Sequence, residues 1–333
     1  MIKQEIQKKL LATKNLLAFS GGGDSTALFF LLRSFGIVFD IAIVDYGLRK
    51  QSKTELEYAK KIAQQHNLTC HSLVADSVEQ NFEAKAREIR YNFFEKLIKK
   101  HNYTTLLTAH HLGDRLEWFL MQFTKGCGCV ELVGMKTVQQ RDGYELVRPL
   151  LGVEKRQLLE YLQKHNLKYF HDETNDDTQY KRNHFRHNFS EKLLADYAKG
   201  IAQSFSYLEE DSKELHQEVV LENVAKLYYF KTTNPRSDMV TIDRHLKKNN
   251  HLITKHEKEL LKQRKNLLLG RKTIVAFSEH FVYIAPFVEQ KEPFPKKFKE
   301  QCRLLKIEPK LRPYLFENSI AFELLKEHYG HTV

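Results

Sequence analysis

Apolar residues in this chain follow two alternating rhythms. Short, mainly apolar runs of strand length, Asn15–Ser20, Phe39–Gly47, Asn67–Ala75 and Tyr103–His110, are separated by stretches in which apolar side chains recur at helical spacing. The helical stretches are a short one before Asn15, one entered from Asp24 through ALFFLLRSFG, then Thr54–His66, Asn81–Lys100, Asp114 to about Lys125 and Glu154–His165. Strand and helix taking turns predict an α/β fold, a doubly wound parallel sheet covered on both faces. In such sheets ligands sit beyond the carboxyl ends of the strands, where the polar clusters of this chain fall.

After His165 the rhythm changes. Residues 171–188 are polar with neither period, which places a boundary near 188–200 and divides a domain over 1–195 from a smaller, mostly helical C-terminal domain over 196–333. There, 201–230 predicts one long helix, 241–269 further helical segments, and Ile274–Phe277 with Phe281–Ala285 a short β-hairpin. A basic tail follows Pro286, and no repeat is visible. The most apolar window, Ala27–Val44, is interrupted by Arg33, Ser34, Gly36 and Asp40, so it reads as helix, turn and strand and not as a membrane span.

Composition sharpens this picture. The 333 residues exceed what one core usually holds. Fifty-three Lys and Arg against 42 Asp and Glu give a formal charge of +11, suited to an anionic partner such as RNA or nucleotides, and 244–272 is the most basic segment. The four cysteines, Cys70, Cys127, Cys129 and Cys302, form no CxxC pair and no zinc spacing; together with an N-terminus lacking an export signal they point to a reducing cytoplasm.

Candidate chemistry sits at strand ends. Ser20-Gly21-Gly22-Gly23-Asp24-Ser25 joins a strand to a helix, where glycines let backbone N–H groups turn toward an anion. It is neither a Walker loop nor the dinucleotide fingerprint, and a tight turn capped by Asp24 or Ser25 is the plain alternative. Asp45 closes a strand as a ligand carboxylate or a loop residue. Arg87 and Arg90 lie three apart on a helix, which ordinarily means a solvated face paired with Glu83. His110 and His111 close another strand, and Asp114 and Glu117 share one face of the next helix; a zinc site would need further ligands. Arg182, Asn183, Arg186 and His187 follow the acidic stretch Asp172–Asp177 as a charged interdomain loop or part of a site. Cys127 and Cys129 alternate with glycines in a turn.

SGGGDS resembles the SGGxDS loop of the ATP pyrophosphatase (PP-loop) family, which cleaves ATP between the α- and β-phosphates and adenylates a substrate. Val44-DYGLR, Glu83-AKAREIRY, Thr108-AHHLGDRLE, Arg148-PLL and His171-DETNDDTQYKRNHFRH are similar, in order, to blocks of the tRNA(Ile)-lysidine synthetases within it. The resemblance implies a Rossmann-like PP-loop domain binding ATP through Ser20, Gly21, Gly22, Gly23, Asp24, Ser25, Asp45, Arg87 and His110, with Mg²⁺ meeting Asp24. It further implies that Asp114 and Glu117 hold free L-lysine, and that Asp24, Asp114, Glu117 and Arg186 serve catalysis. A CAU-anticodon tRNA(Ile) would meet Arg90, Arg182 and Asn183 and, in the C-terminal domain, Lys262, Arg264 and Lys265. The implied product is lysidine at the wobble cytidine, formed through an adenylated base with release of pyrophosphate and AMP. Whether the enzyme is a homodimer is left open.

Three positions depart from the family pattern. Tyr46 stands for His, Gly113 for the first Asp of the acidic pair, and Trp118 for Thr. Two other readings compete: a PP-loop tRNA thiolase, for which Cys127-Gly-Cys129 lacks the CxxC form, and a non-catalytic RNA-binding protein that keeps the loop only to bind nucleotide.

Overall fold

Leu16 and Leu17 are adjacent and both fully buried, which a strand permits only if each of its faces is covered. The computed structural model, describing residues 1–47, 50–75, 82–170, 181–215 and 219–330, shows how. The chain forms two compact units, Met1–Glu209 and Glu210–Val333.

The first unit holds α1 (Gln4–Leu11), β1 (Asn15–Ala18), α2 (Gly23–Ser34), β2 (Phe39–Asp45), α3 (Lys50–Gln65), β3 (Cys70–Val74), α4 (Phe82–His101), β4 (Thr105–Leu107) and α5 (Leu112–Phe123). It continues through α6 (Cys129–Val133), β5 (Val138–Arg141), β6 (Tyr144–Val147), α7 (Lys155–Lys164), α8 (Lys181–Phe185), a π-helical turn (Arg186–Ser190) and most of α9 (Glu191–Leu215), whose last turns belong to the second unit. Its six-stranded sheet has the order β3-β2-β1-β4-β6-β5, parallel throughout except for edge strand β5. Leu17, Ile41, Ile43, Leu107 and Val147 pack on one face with Phe29, Ile62 and Leu158 of α2, α3 and α7. Leu16, Ala42, Leu106 and Leu146 pack on the other with Phe94, Leu97 and Ile98 of α4. The doubly wound expectation therefore holds. The chain leaves β1 toward β2 on one side and returns to β4 on the other, so the switch-point crevice opens where β1 and β4 end.

The second unit differs from the expectation in detail. The helix anticipated over 201–230 stops at Leu215; β7 (Glu222–Val224) and β8 (Leu227–Lys231) follow around Ala225-Lys226, both at positive φ as a two-residue hairpin turn requires. After α10 (Pro235–Lys248) and α11 (Lys255–Lys262) come β9 (Leu267–Leu269), β10 (Thr273–Phe277) and β11 (Phe281–Pro286). The expected hairpin, β10 with β11, lies inside a five-stranded sheet of order β7-β8-β11-β10-β9. The helices α12 (Lys296–Leu304), α13 (Arg312–Glu317) and α14 (Ser319–Gly330) end the chain. Tyr229, Ala276 and Tyr283 pack with Phe298 and Phe322 of α12 and α14, whereas Phe230, Val275 and Ile284 pack with Met239, Ile242 and Leu261 of α10 and α11. No helix among the described residues is long and apolar enough to cross a membrane.

Candidate active site

The glycine loop is laced by its two serines. Ser25 Oγ accepts the Ser20 amide at 3.2 Å and donates to the Gly22 carbonyl at 3.1 Å, while Ser20 Oγ accepts the Gly22 amide at 3.3 Å. Gly21, at φ +78°, makes the left-handed turn that only glycine takes without strain, and its carbonyl receives the Phe170 amide at 2.9 Å. Gly22 caps α2 with no side chain, so the first amides of the helix face the crevice as a seat for an anion. The capping alternative for Asp24 and Ser25 is thereby replaced: both lie inside the helix.

Asp24 in that first turn faces the end of β4. Its Oδ2 is 3.7 Å from His111 Nε2, and its Oδ1 is buried with no hydrogen-bond partner among the described residues. Burial pushes the Asp24 carboxyl above its ordinary pKa; Asp114 adds to the effect, and His111 and Lys155 oppose it. His111 is held by its own helix: Nδ1 accepts the Gly113 amide at 3.0 Å, and Asp114 Oδ2 accepts the His111 amide at 2.9 Å, a reciprocal cap on α5. With Nδ1 accepting, Nε2 carries a ring proton and stands 3.7 Å from both Asp24 Oδ2 and Asp114 Oδ2. Gly113 makes this possible, because a Cβ there would lie 2.7 Å from His111 Cε1. His110 contacts Thr108 Oγ1 at 2.9 Å, and burial, helped by Arg148, Arg182 and Arg87, pushes it down to about 4, so it is neutral at pH 7.

Asp114 and Glu117 meet two arginines. Arg182 donates from Nη2 to Asp114 Oδ1 and from Nε to Glu117 Oε2 at 2.8 Å; Arg186, one turn on, donates from Nε to Glu117 Oε1 at 2.7 Å. Burial alone would push the Asp114 carboxyl up, but His111, Arg182 and the amide bond outweigh it and hold it well below the usual carboxylate range. Asn183 is buried between these two arginines in sequence. Two acids and two guanidiniums thus form a nearly closed, charge-balanced group beside Asp24.

Of the remaining predicted residues, Arg87 lies near enough to His110 to act on its charge, and the others scatter. Asp45 is buried at the end of β2, but its Oδ1 accepts the Gly47 amide at 2.8 Å, as a loop carboxylate does. Arg87 and Arg90 are on the exposed side of α4, Arg87 over the Tyr91 ring at 4.8 Å. Tyr46 donates to the Ala86 carbonyl at 2.9 Å and ties the β2 loop to α4. In the second unit Lys262 and Lys265 are exposed, Lys262 pairing with Glu259 at 2.8 Å. Arg264 is a structural brace: it donates to Thr232 Oγ1 at 2.7 Å and to the Ser278 carbonyl at 2.6 Å and lies 3.4 Å from Asp238. Leu48, Arg49, Asp172–Asp177 and the side chain of Glu83 lie outside the described residues. Lys155, which sequence reasoning did not select, lies near enough to Asp24 to act on its charge, and His111, read only as closing a strand beside His110, proves to cap α5; its signal was its place three before Asp114, the spacing of a capping box.

An orphaned, buried carboxylate oxygen beside an anion seat suits Mg²⁺ arriving with a nucleotide, since that ion takes one or two carboxylates plus phosphate oxygens. Asp24 would hold it. Among the described residues no three His, Cys, Asp or Glu side chains are gathered to bind a metal by themselves.

The PP-loop domain family matches residues 2–193. The chain is 41% identical over 91% of its length to the tRNA(Ile)-lysidine synthase of Helicobacter pylori, covering 89% of that protein. It is 42% identical over 95% to the synthase of Wolinella succinogenes and 39% identical over 97% to that of Campylobacter jejuni, covering 97% and 99% of them. Among solved structures, a U34-tRNA thiolase from Methanococcus maripaludis, with its [4Fe-4S] cluster, superposes with a TM-score of 0.51 at 16% identity over 62% of this chain and 77% of that one, a likeness of fold. By its glycine loop, its acid pair and its relatedness along nearly the whole length, the chain belongs to the tRNA(Ile)-lysidine synthase family of PP-loop proteins.

Proposed function

We propose that this chain joins free L-lysine to C2 of the wobble cytidine of a CAU-anticodon tRNA(Ile), consuming ATP and releasing pyrophosphate and AMP. The observation that carries the reading is the meeting, at one switch point, of an uncapped helix start, an unpartnered Asp24 oxygen and the Asp114–Glu117 pair.

In the first step the α2 amides and the loop glycines hold the triphosphate so that cytosine O2 attacks the α-phosphorus in line and pyrophosphate departs. Bound Mg²⁺ would neutralise charge on the phosphates. His111 Nε2 stands 3.7 Å from each of Asp24 and Asp114 and offers both carboxylates a shared donor. In the second step the ε-amine of lysine attacks C2, the C2–O2 bond to the adenylate breaks, AMP leaves and the amine gives up a proton. Asp114 and Glu117 are anions suited to an ammonium group, yet both are held by arginine. We therefore expect lysine to enter by exchange, displacing guanidinium from Glu117 and leaving Arg186 free to turn toward phosphate. Arg90, Lys262 and Lys265, exposed cations, would meet RNA backbone by contacts blind to sequence.

Incubating the protein with ATP, isotopically labelled lysine and the isoleucine tRNA transcript, followed by nucleoside mass analysis, tests the reading. The expected result is one labelled lysine on the wobble cytidine with equimolar pyrophosphate. Sulfur incorporation would turn the assignment to a thiolase, a reading the half-buried Cys127 disfavours because burial and Glu131 push its thiol pKa up, away from a reactive thiolate. Absence of pyrophosphate release would leave a nucleotide-binding RNA partner.

A further inference from the structure

Trp118 is the single tryptophan of the chain and is 43% exposed, although it follows the buried Glu117 directly. It stands four residues after Asp114, so its indole leaves α5 on the Asp114 side, one turn outward from the acid pair. The ring is fixed. Its Nε1 donates to the Glu131 carbonyl at 3.2 Å, and it lies so close to Gly134 that a Cβ there would be 2.3 Å from Cδ1. Gly134 is at φ +60°, so conformation and space both reserve the position for glycine and leave the backbone after α6 as a shelf beneath the indole. An exposed aromatic ring held by a hydrogen bond and a glycine shelf loses little freedom when a flat partner covers it.

The surroundings select the partner. Asp114 and Glu117 are already matched by Arg182 and Arg186, and Lys125 and Lys136, exposed on either side of α6, offset the further carboxylate near the indole, that of Glu131. We propose that Trp118 is a stacking platform for an unpaired nucleobase of the RNA substrate, seated next to the cytidine that meets the lysine held by Asp114 and Glu117. The inference rests on the tRNA-modifying reading above. Every base has a π-face, so the platform would add affinity and fix register without reading sequence.

The single tryptophan makes the test direct. Titrating the wild-type protein with an anticodon stem-loop RNA should quench its intrinsic emission with the midpoint found for tRNA binding. Trp118→Ala should raise KM for tRNA about tenfold, at the low end of what base stacking contributes, with kcat and the KM for ATP and lysine within about twofold of wild type. Trp118→Phe, which keeps a π-face, should recover most of the loss. Lysine incorporation by wild type without any quench overturns the platform, as does Trp118→Ala with unchanged KM for tRNA. Should Trp118→Ala fail to fold, the wild-type titration still decides. Failure of wild type to incorporate lysine rejects the parent reading instead.

Discussion

Gly113 illustrates how one absent side chain sets the geometry of a site. By resemblance this position expects a carboxylate, and its loss invites the conclusion that the acid pair is weakened. In the structure the missing Cβ is the space the His111 ring occupies while it caps α5 and faces Asp24 and Asp114. Gly113→Ala should expel the ring and remove the cap, costing about 1 kcal/mol in urea unfolding and lowering lysine-dependent pyrophosphate release about tenfold. Unchanged unfolding and turnover would show the ring to be incidental. Asp24 makes the opposite trade. Its pKa is raised, so the folded state pays at neutral pH to keep it ionised, and that penalty fades as pH falls below the ordinary carboxylate value. Asp24→Asn should therefore unfold at higher denaturant than wild type at pH 7, lose that advantage near pH 4, and release no pyrophosphate. Greater stability without activity marks a group kept for function.

At the level of elements, the motif residues were legible while their partners were not. Acids at i and i+3 on α5 and arginines at i and i+4 on α8 and the π-helical turn each read as one face of a helix, but nothing local says that the two faces close on each other. Removing one member strands the others in a buried place, an effect of about 3 kcal/mol for a buried pair. Glu117→Gln, which keeps shape and one acceptor, should cost less, raise KM for lysine at least tenfold and spare ATP binding; an unchanged lysine KM removes Glu117 from the site. The β5–β6 hairpin went unread although Asp142-Gly143, with Gly143 at φ +80°, is a hairpin signal, because Val138–Arg141 is too polar to suggest a strand. Tertiary pairing against β6 overrides that composition. The 201–230 region failed for the reverse reason: Leu227–Lys231 carries apolar residues dense enough for either period, and only burial on two sheet faces identifies a strand.

For the molecule as a whole, the alternation of strands and helices that predicts the first unit has no counterpart in the second, whose antiparallel sheet brings β8 beside β11 across some fifty intervening residues. Charge, by contrast, is legible from composition but not in its assignment to tasks. Of the three basic residues grouped as an RNA contact, Lys262 and Lys265 present ammonium groups at the surface, while Arg264 spends its guanidinium on Thr232, Asp238 and Ser278 inside the second unit. These uses separate by salt. An ammonium that neutralises a phosphate releases about 0.7 to 0.9 counterion, so Lys262→Gln with Lys265→Gln should weaken tRNA binding and reduce the slope of log K against log salt by up to about 1.8. Arg264→Gln should leave that slope unchanged and instead lower unfolding stability by about 2 kcal/mol, since Asp238 is 3% exposed and would lose its cation. Binding isotherms at three or more salt concentrations, set beside urea unfolding of the same proteins, read both effects at once. A flattened slope in the Arg264 variant, or an unaltered one in the lysine pair, would reverse the assignment of brace and contact.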